Sequence, residues 1–325
     1  MARKRTEPGT GNESNICQIC VFKDGKCVFD ECRHGYRPDD TVHVMSVTKG
    51  VMALLAGIAL DAGAIASVGE KVLDFFPGYE PPRGEKTARA VEIRHLLTMT
   101  APWKFRSDPW KKVCTSPDWT EAVLAFLGGR KGLTGAFRYT TLGLQALGGV
   151  LENATGTRCL DFANERLFAP LGIAPRKPHG DSSQEDQFRF AMDKAPKGQE
   201  WYCDPAGAAT AGWGLALSAR EMAAIGEMCR CRGEYRGKRV VSAGWIREMA
   251  APRVELGRAF GNMAYGYLWY RPRRDGPVFA AMGDGGNLIY VNEETGIAAG
   301  VTGTFRPRVF DRIEYLEREI LPAFL

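Results

Sequence analysis

Ser46-Val47-Thr48-Lys49 is the only Ser-x-x-Lys in the chain, and its two polar residues are of the types that can make and break an acyl bond. Residues three apart on a helix share a face about one turn from each other, so Lys49 Nζ can reach Ser46 Oγ. A serine hydroxyl is a weak nucleophile until a neighbouring base takes its proton, and a lysine can be that base. The tetrapeptide alone is unspecific, since average composition gives about one chance match in a chain of this length. Its surroundings are more informative. Residues 41–45 alternate and are rich in β-branched side chains, as an extended segment would be. Val47, Val51, Leu54, Leu55, Ile58 and Ala59 then recur at spacings of three and four, which predicts a helix beginning at Ser46. Free N–H groups and the dipole favour developing negative charge there. An N-cap serine followed by a surface lysine would give the same letters. Against that reading, the helix is almost wholly apolar, and a lone lysine on a buried helix is costly.

Two other stretches could join Ser46. Tyr139-Thr140-Thr141 opens a predicted helix over 142–154, which Gly156 stops. A buried tyrosine there can relay a proton, or can simply be a core aromatic. Gly283-Asp284-Gly285-Gly286 lies between two predicted strands. Its glycines let a substrate approach the backbone, and an N–H there can complete an oxyanion hole with that of Ser46; a plain hairpin turn is the other reading. Cys17, Cys20, Cys27 and Cys32 cluster near the start at spacings that match no common zinc module. A hairpin of 16–22 and 27–31, with cysteine as a small apolar residue, accounts for them, and no metal or cofactor is expected.

The elements that must position these residues follow from the hydrophobic pattern. Helices are predicted over 91–99, 120–127 and 142–154, then from Ser218 through Cys229 behind a capping box, and from Ser242. Strands are predicted at 266–270, 278–282, 287–292 and 297–302, with a closing helix over 312–321. Strands at both ends and helices between imply an α+β fold, an antiparallel sheet shared by the termini with a mainly helical lobe inserted. The expected division is a disordered tail over 1–15, a sheet lobe of 16–78 and 210–325, and a helical lobe of 79–209. Hydrophobic content of 45%, charged content of 25% and a net charge of +5 are those of an ordinary soluble protein. They give nucleic acid little to bind. The longest apolar stretch, 51–65, is broken by Gly57, Asp61 and Gly63, so no membrane partner is expected. Nine cysteines and a polar opening without a secretory pattern point to the cytoplasm. Composition leaves monomer and homodimer open.

Six stretches, in order, resemble the class C β-lactamase-related serine hydrolases, a family with a penicillin-binding-protein-like fold that includes esterases, D-aminopeptidases and 6-aminohexanoate-dimer hydrolase. They are Ser46-Val-Thr-Lys-Gly50, Ile93-Arg-His-Leu-Leu-Thr-Met-Thr100, Phe137-Arg-Tyr-Thr-Thr141 with Ala154-Thr-Gly156, Gly212-Trp-Gly-Leu-Ala-Leu-Ser-Ala-Arg-Glu221, Tyr265-Gly-Tyr-Leu-Trp269 and Met282-Gly-Asp-Gly-Gly-Asn287. The resemblance covers residues 16–325. It implies that Ser46 is the acylated nucleophile, Lys49 its base and Tyr139 an aid to proton transfer. The oxyanion hole would be the N–H groups of Ser46 and Asp284, with Trp103, Thr141, Trp213, Met282 and Gly283 around the substrate; apolar packing is an equally good account of Trp103 and Trp213. Two departures bear on specificity. Thr141 stands where the family has the Asn of Tyr-x-Asn, and loses its amide. Ala281 stands where the family has the cation of Lys-Thr-Gly, so a substrate carboxylate loses its partner. A small ester or uncharged amide is therefore the expected partner. A β-lactamase, a D-Ala-type peptidase or penicillin-binding enzyme, and a catalytically decayed binding protein on the same fold are the alternatives. The Asp284 carboxylate is expected to point outward, since it would oppose an oxyanion.

Overall fold

The computed structural model describes residues 13–180 and 183–325. Its opening hairpin joins Ile16–Lys23 to Lys26–Cys32 through Asp24 and Gly25. Both turn residues are left-handed, with φ of 47° and 80°, the backbone a two-residue hairpin turn demands. Ile16–Lys23 also pairs antiparallel with Ile297–Gly303, so the two ends of the chain lie side by side. Beyond it the sheet continues through Asn287–Asn292, Val278–Gly283, Tyr270–Arg271, Ala264–Tyr265 and Val254–Glu255, eight strands in all, every pairing antiparallel.

Val278–Gly283, Asn287–Asn292 and Ile297–Gly303 are buried along their whole length because both faces of the sheet are covered. On one face lie the helices Val47–Asp61 and Ala219–Arg230. They come close through glycines: a Cβ on Gly50 would sit 2.7 Å from that of Ala281, and one on Gly226 would sit 3.1 Å from Ile289 Cγ2. The C-terminal segment covers the other face, where Tyr290 Oη meets Glu317 Oε1 at 3.1 Å and Phe29 packs on Phe324. That segment was expected as one helix. It is wound instead as Ile313–Tyr315, a wider turn over Leu316–Ile320 and a tight one over Leu321–Ala323 at Pro322.

The inserted helices include Ile93–Leu97, Trp119–Leu124 and Gln145–Thr155, the last ended by left-handed Gly156. Further helical segments, over residues 159–171 and at Gln184–Met192, add to those expected from the pattern. Among the described residues, no helix is long and apolar enough to cross a membrane.

The tail expected over 1–15 needs correction at its inner end. Residues 1–12 lie outside the described part, but Asn15 is buried and belongs to the fold. Its Nδ2 donates to Gly285 O at 2.8 Å and Thr304 O at 2.6 Å, and its Oδ1 accepts from Arg312 at 2.7 Å. A polar residue in a polar run reads as solvated until its partners, some 270 positions away, are known.

Candidate active site

Every residue of the helix from Val47 to Ala59 is buried. Trp245 occupies the space beside Gly57 and donates to Ala53 O at 3.0 Å, while Trp269 donates to Gly50 O at 3.1 Å. The helix is thus clamped from two sides. Met45, immediately before it, is left-handed at φ 50°, a conformation that costs a non-glycine residue energy and is held by its surroundings.

Ser46 sits at the N-cap position, but its side chain makes no capping bond. Lys49 Nζ lies 2.7 Å from Ser46 Oγ instead. The same nitrogen donates to Gly212 O at 2.6 Å, lies 3.3 Å from Thr141 Oγ1, and stands 4.9 Å from the centre of the Tyr139 ring. Lys49 is 1% exposed, and none of the ion pairs among the described residues includes it. The arrangement is that of an amine committed to one hydroxyl, with a carbonyl and a second hydroxyl fixing its direction.

Asp108, which sequence reasoning did not single out, holds the second wall. Its Oδ1 accepts from Thr140 Oγ1 at 2.6 Å, and its Oδ2 accepts from the N–H groups of Thr141 at 2.7 Å and Leu142 at 3.1 Å. One carboxylate thereby fixes the backbone that presents Tyr139 and Thr141 to Lys49. Gly212 meets this wall so closely that a Cβ there would lie 2.2 Å from Thr141 O. Two residues on, the Gly214 N–H donates to His43 Nε2 at 2.9 Å. Burial, with Lys197 and Lys49 nearby, pushes the His43 imidazole down to about 3, so it stays a neutral acceptor.

Glycines make the third wall. A Cβ on Gly283 would lie 2.4 Å from Val44 O and 2.9 Å from Ser46 N, so the end of its strand runs against the start of the serine helix. Tyr270–Arg271 pairs with this strand only at Ala280, which leaves the edge at residues 281–283 open on that side. Asp284 is exposed, as expected of its carboxylate. Behind the turn, Arg312 donates to Gly285 O at 3.3 Å as well as to Asn15. Tyr265 and Tyr270 pack near Tyr139. Burial first, then the proximity of Tyr139, holds both hydroxyls well above the ordinary tyrosine value.

Ser46, Lys49, Tyr139, Thr141 and Gly283 therefore come together, with Asp284 next to Gly283. Three other expected residues are placed differently. Met282 alternates with Ala281 along its strand and pairs with Leu288, so it points to the C-terminal face of the sheet, away from the serine helix. Trp103 is buried against Gly143 and stacked on Phe105 at 5.6 Å. Trp213 is packed between Tyr202 and Trp119, with ring centres 4.9 and 6.4 Å away. Trp110, edge-on to Trp213 at 6.2 Å and 45% exposed, carries that aromatic stack to the surface.

Comparison with known proteins bears on the family and the fold. The beta-lactamase family profile matches residues 16–321. The 6-aminohexanoate-dimer hydrolase of Paenarthrobacter ureafaciens is 25% identical over 247 residues, 71% of this chain. The chain spans only 56% of the length of that relative. Among solved structures, a penicillin-binding protein homologue from Caulobacter crescentus superposes with a TM-score of 0.68 at 18% identity, covering 91% of this chain and 88% of its own. A family VIII carboxylesterase does so with a TM-score of 0.68 at 18% identity, covering 93% and 90%.

Proposed function

The chain belongs to the beta-lactamase family, and from that and the geometry around Ser46 we propose that it is a serine hydrolase that passes through an acyl-enzyme. The observation that carries the reading is the 2.7 Å contact between Lys49 Nζ and a Ser46 hydroxyl that caps nothing. Lys49 takes the Ser46 proton while Oγ attacks the substrate carbonyl. The resulting oxyanion is held by the N–H groups of Ser46 and Asp284, each worth about 3 kcal/mol of barrier in comparable sites. As the tetrahedral intermediate collapses, the leaving group takes a proton from Lys49, with Tyr139 beside it as the relay. Water then attacks the acyl-enzyme by the same route, giving back Ser46 and releasing the acid.

The substrate proposed is a small ester or an uncharged amide. Ala281 offers no charge to a substrate carboxylate, and its side chain is directed at Gly50 of the serine helix. The similar proteins include a 6-aminohexanoate-dimer hydrolase and a family VIII carboxylesterase, which fits this class. Nine free thiols suit a reducing compartment such as the cytoplasm. Turnover of p-nitrophenyl butyrate and of nitrocefin, by wild type and Ser46→Ala, tests the reading. Ester turnover lost in the variant is expected. Nitrocefin turnover without ester turnover would replace the esterase with a β-lactamase, and ester turnover surviving in Ser46→Ala would overturn the nucleophile.

A further inference from the structure

The opening hairpin gathers two thiols and a carboxylate at one point. Cys20 Sγ and Cys27 Sγ are 3.8 Å apart, and with a carboxylate oxygen of Asp30 they lie within 4.8 Å of one another. The backbone makes this convergence possible. Cys27 and Asp30 are three residues apart, and in a regular strand an odd separation puts side chains on opposite faces. Between Val21 and Phe22 the register shifts, so that Phe29 pairs with Val21 while Cys27 pairs with Phe22. The extra residue, Val28, forms a bulge, and it returns Cys27 to the face that carries Cys20 and its direct partner Asp30. On that face Cys20 is buried against Ala219 and Ala223, Asp30 is paired with Arg220, and Cys27 is exposed.

We infer that Cys20, Cys27 and Asp30 form a binding site for a thiophilic divalent cation of the zinc type. Tetrahedral coordination at a metal–sulfur distance of about 2.3 Å separates two sulfurs by about 3.8 Å, the separation found here. A disulfide needs the same atoms about 2.0 Å apart, so the sulfurs would have to close on each other. Two soft thiolates and a harder carboxylate give an anionic, sulfur-rich donor set, and the two thiol protons leave to solvent as the metal binds. The exposed side of Cys27 supplies the way in and leaves the fourth position to water. Bound metal would tie the edge strand Lys26–Cys32 to its neighbour, apart from the Ser46 site.

Titration of Co2+ into the reduced protein, followed by sulfur-to-cobalt charge-transfer absorption, tests this. The expected result is one equivalent bound, displaced by Zn2+. The band should disappear in Cys27→Ser, an exposed position whose exchange spares the fold, and persist in Cys231→Ser, which lies outside the cluster. Asp30→Asn should weaken binding at least about tenfold. No charge-transfer band on the folded, reduced wild type would overturn the site, as would a band unchanged in Cys27→Ser. A wild type that takes up no metal and instead loses 2 Da on mild peroxide treatment, with Cys20 and Cys27 joined, would also overturn it and make the pair a disulfide.

Discussion

Asp108→Asn isolates the part of the site that positions rather than reacts. Three hydrogen bonds converge on this carboxylate, from Thr140 Oγ1, Thr141 N and Leu142 N. The amide keeps the shape and one acceptor oxygen, which can serve both N–H groups, while its nitrogen turns to the Thr140 hydroxyl. What is lost is charge at the two N–H groups and the acceptor of the Thr140 O–H, whose bond to residue 108 reverses with the amide donating. A bond to a charged acceptor is worth about 1.5–3 kcal/mol and one to a neutral acceptor about 0.5–1.5 kcal/mol, so each N–H loses about 1 kcal/mol. Two such losses, set against the competent placement of Tyr139 and Thr141, come to about 2 kcal/mol, or an approximately 30-fold slower acylation. Asp108→Ala removes every acceptor and should be slower still. The assay is the second-order rate of inactivation by a fluorophosphonate, with circular dichroism to show that each variant is folded. The effect should fall on the rate of acylation while the site of labelling stays at Ser46. An Asp108→Asn protein within twofold of wild type would refute the claim that this carboxylate holds the Tyr139–Thr141 wall in place.

Lys49→Met keeps the length of the side chain and removes the base; acylation of the folded variant should fall about 10²–10⁴-fold, measured by stopped-flow ester cleavage. Gly283→Ala would put a Cβ 2.4 Å from Val44 O and 2.9 Å from Ser46 N, both backbone atoms that cannot swing aside. Loss of oxyanion geometry should cost about 10²–10³-fold in kcat, read from steady-state ester hydrolysis. His43 gives a pH dependence of stability. Its folded value is lowered from 6.5 to about 3, so between these limits the unfolded chain binds a proton that the folded one does not. Stability therefore falls with acid from about pH 6.5 downward, by about 2 kcal/mol at pH 5. Urea melts should show a shallower loss between neutral pH and pH 5 in His43→Gln than in wild type.

The residues that were legible in the sequence are those whose partners are local or whose pattern is periodic. Ser46 and Lys49 are one helical turn apart, and the strands from 278 to 303 are short apolar runs separated by tight turns, so local pattern places them. Lys49's other partners were not legible. Gly212 O is a backbone atom 163 positions away, and nothing in a glycine's identity says which side chain its carbonyl will meet. Asp108 was hidden in a loop where an aspartate is ordinarily solvated, and Asn15 in a polar run. Met282 and Trp213 are placed differently for another reason. Family position assigned them to the cleft, but strand alternation turns Met282 away, and the Tyr202 and Trp119 rings enclose Trp213. The segment 159–171 was missed because its helix changes pitch at Asn164–Phe168, which blurs the 3.6-residue repeat. Cysteine as plain apolar filling suits buried Cys17 but not the meeting of Cys20 with exposed Cys27, because a bulge cannot be read from composition.

The central claim is that Lys49 activates Ser46 and no other serine. Intact-protein mass spectrometry after a fluorophosphonate probe, on wild type and Ser46→Ala side by side, tests it most directly. One adduct on the wild type, mapped to Ser46, with none on the variant is the predicted result. No adduct on the folded wild type, or the same adduct on Ser46→Ala, would contradict it.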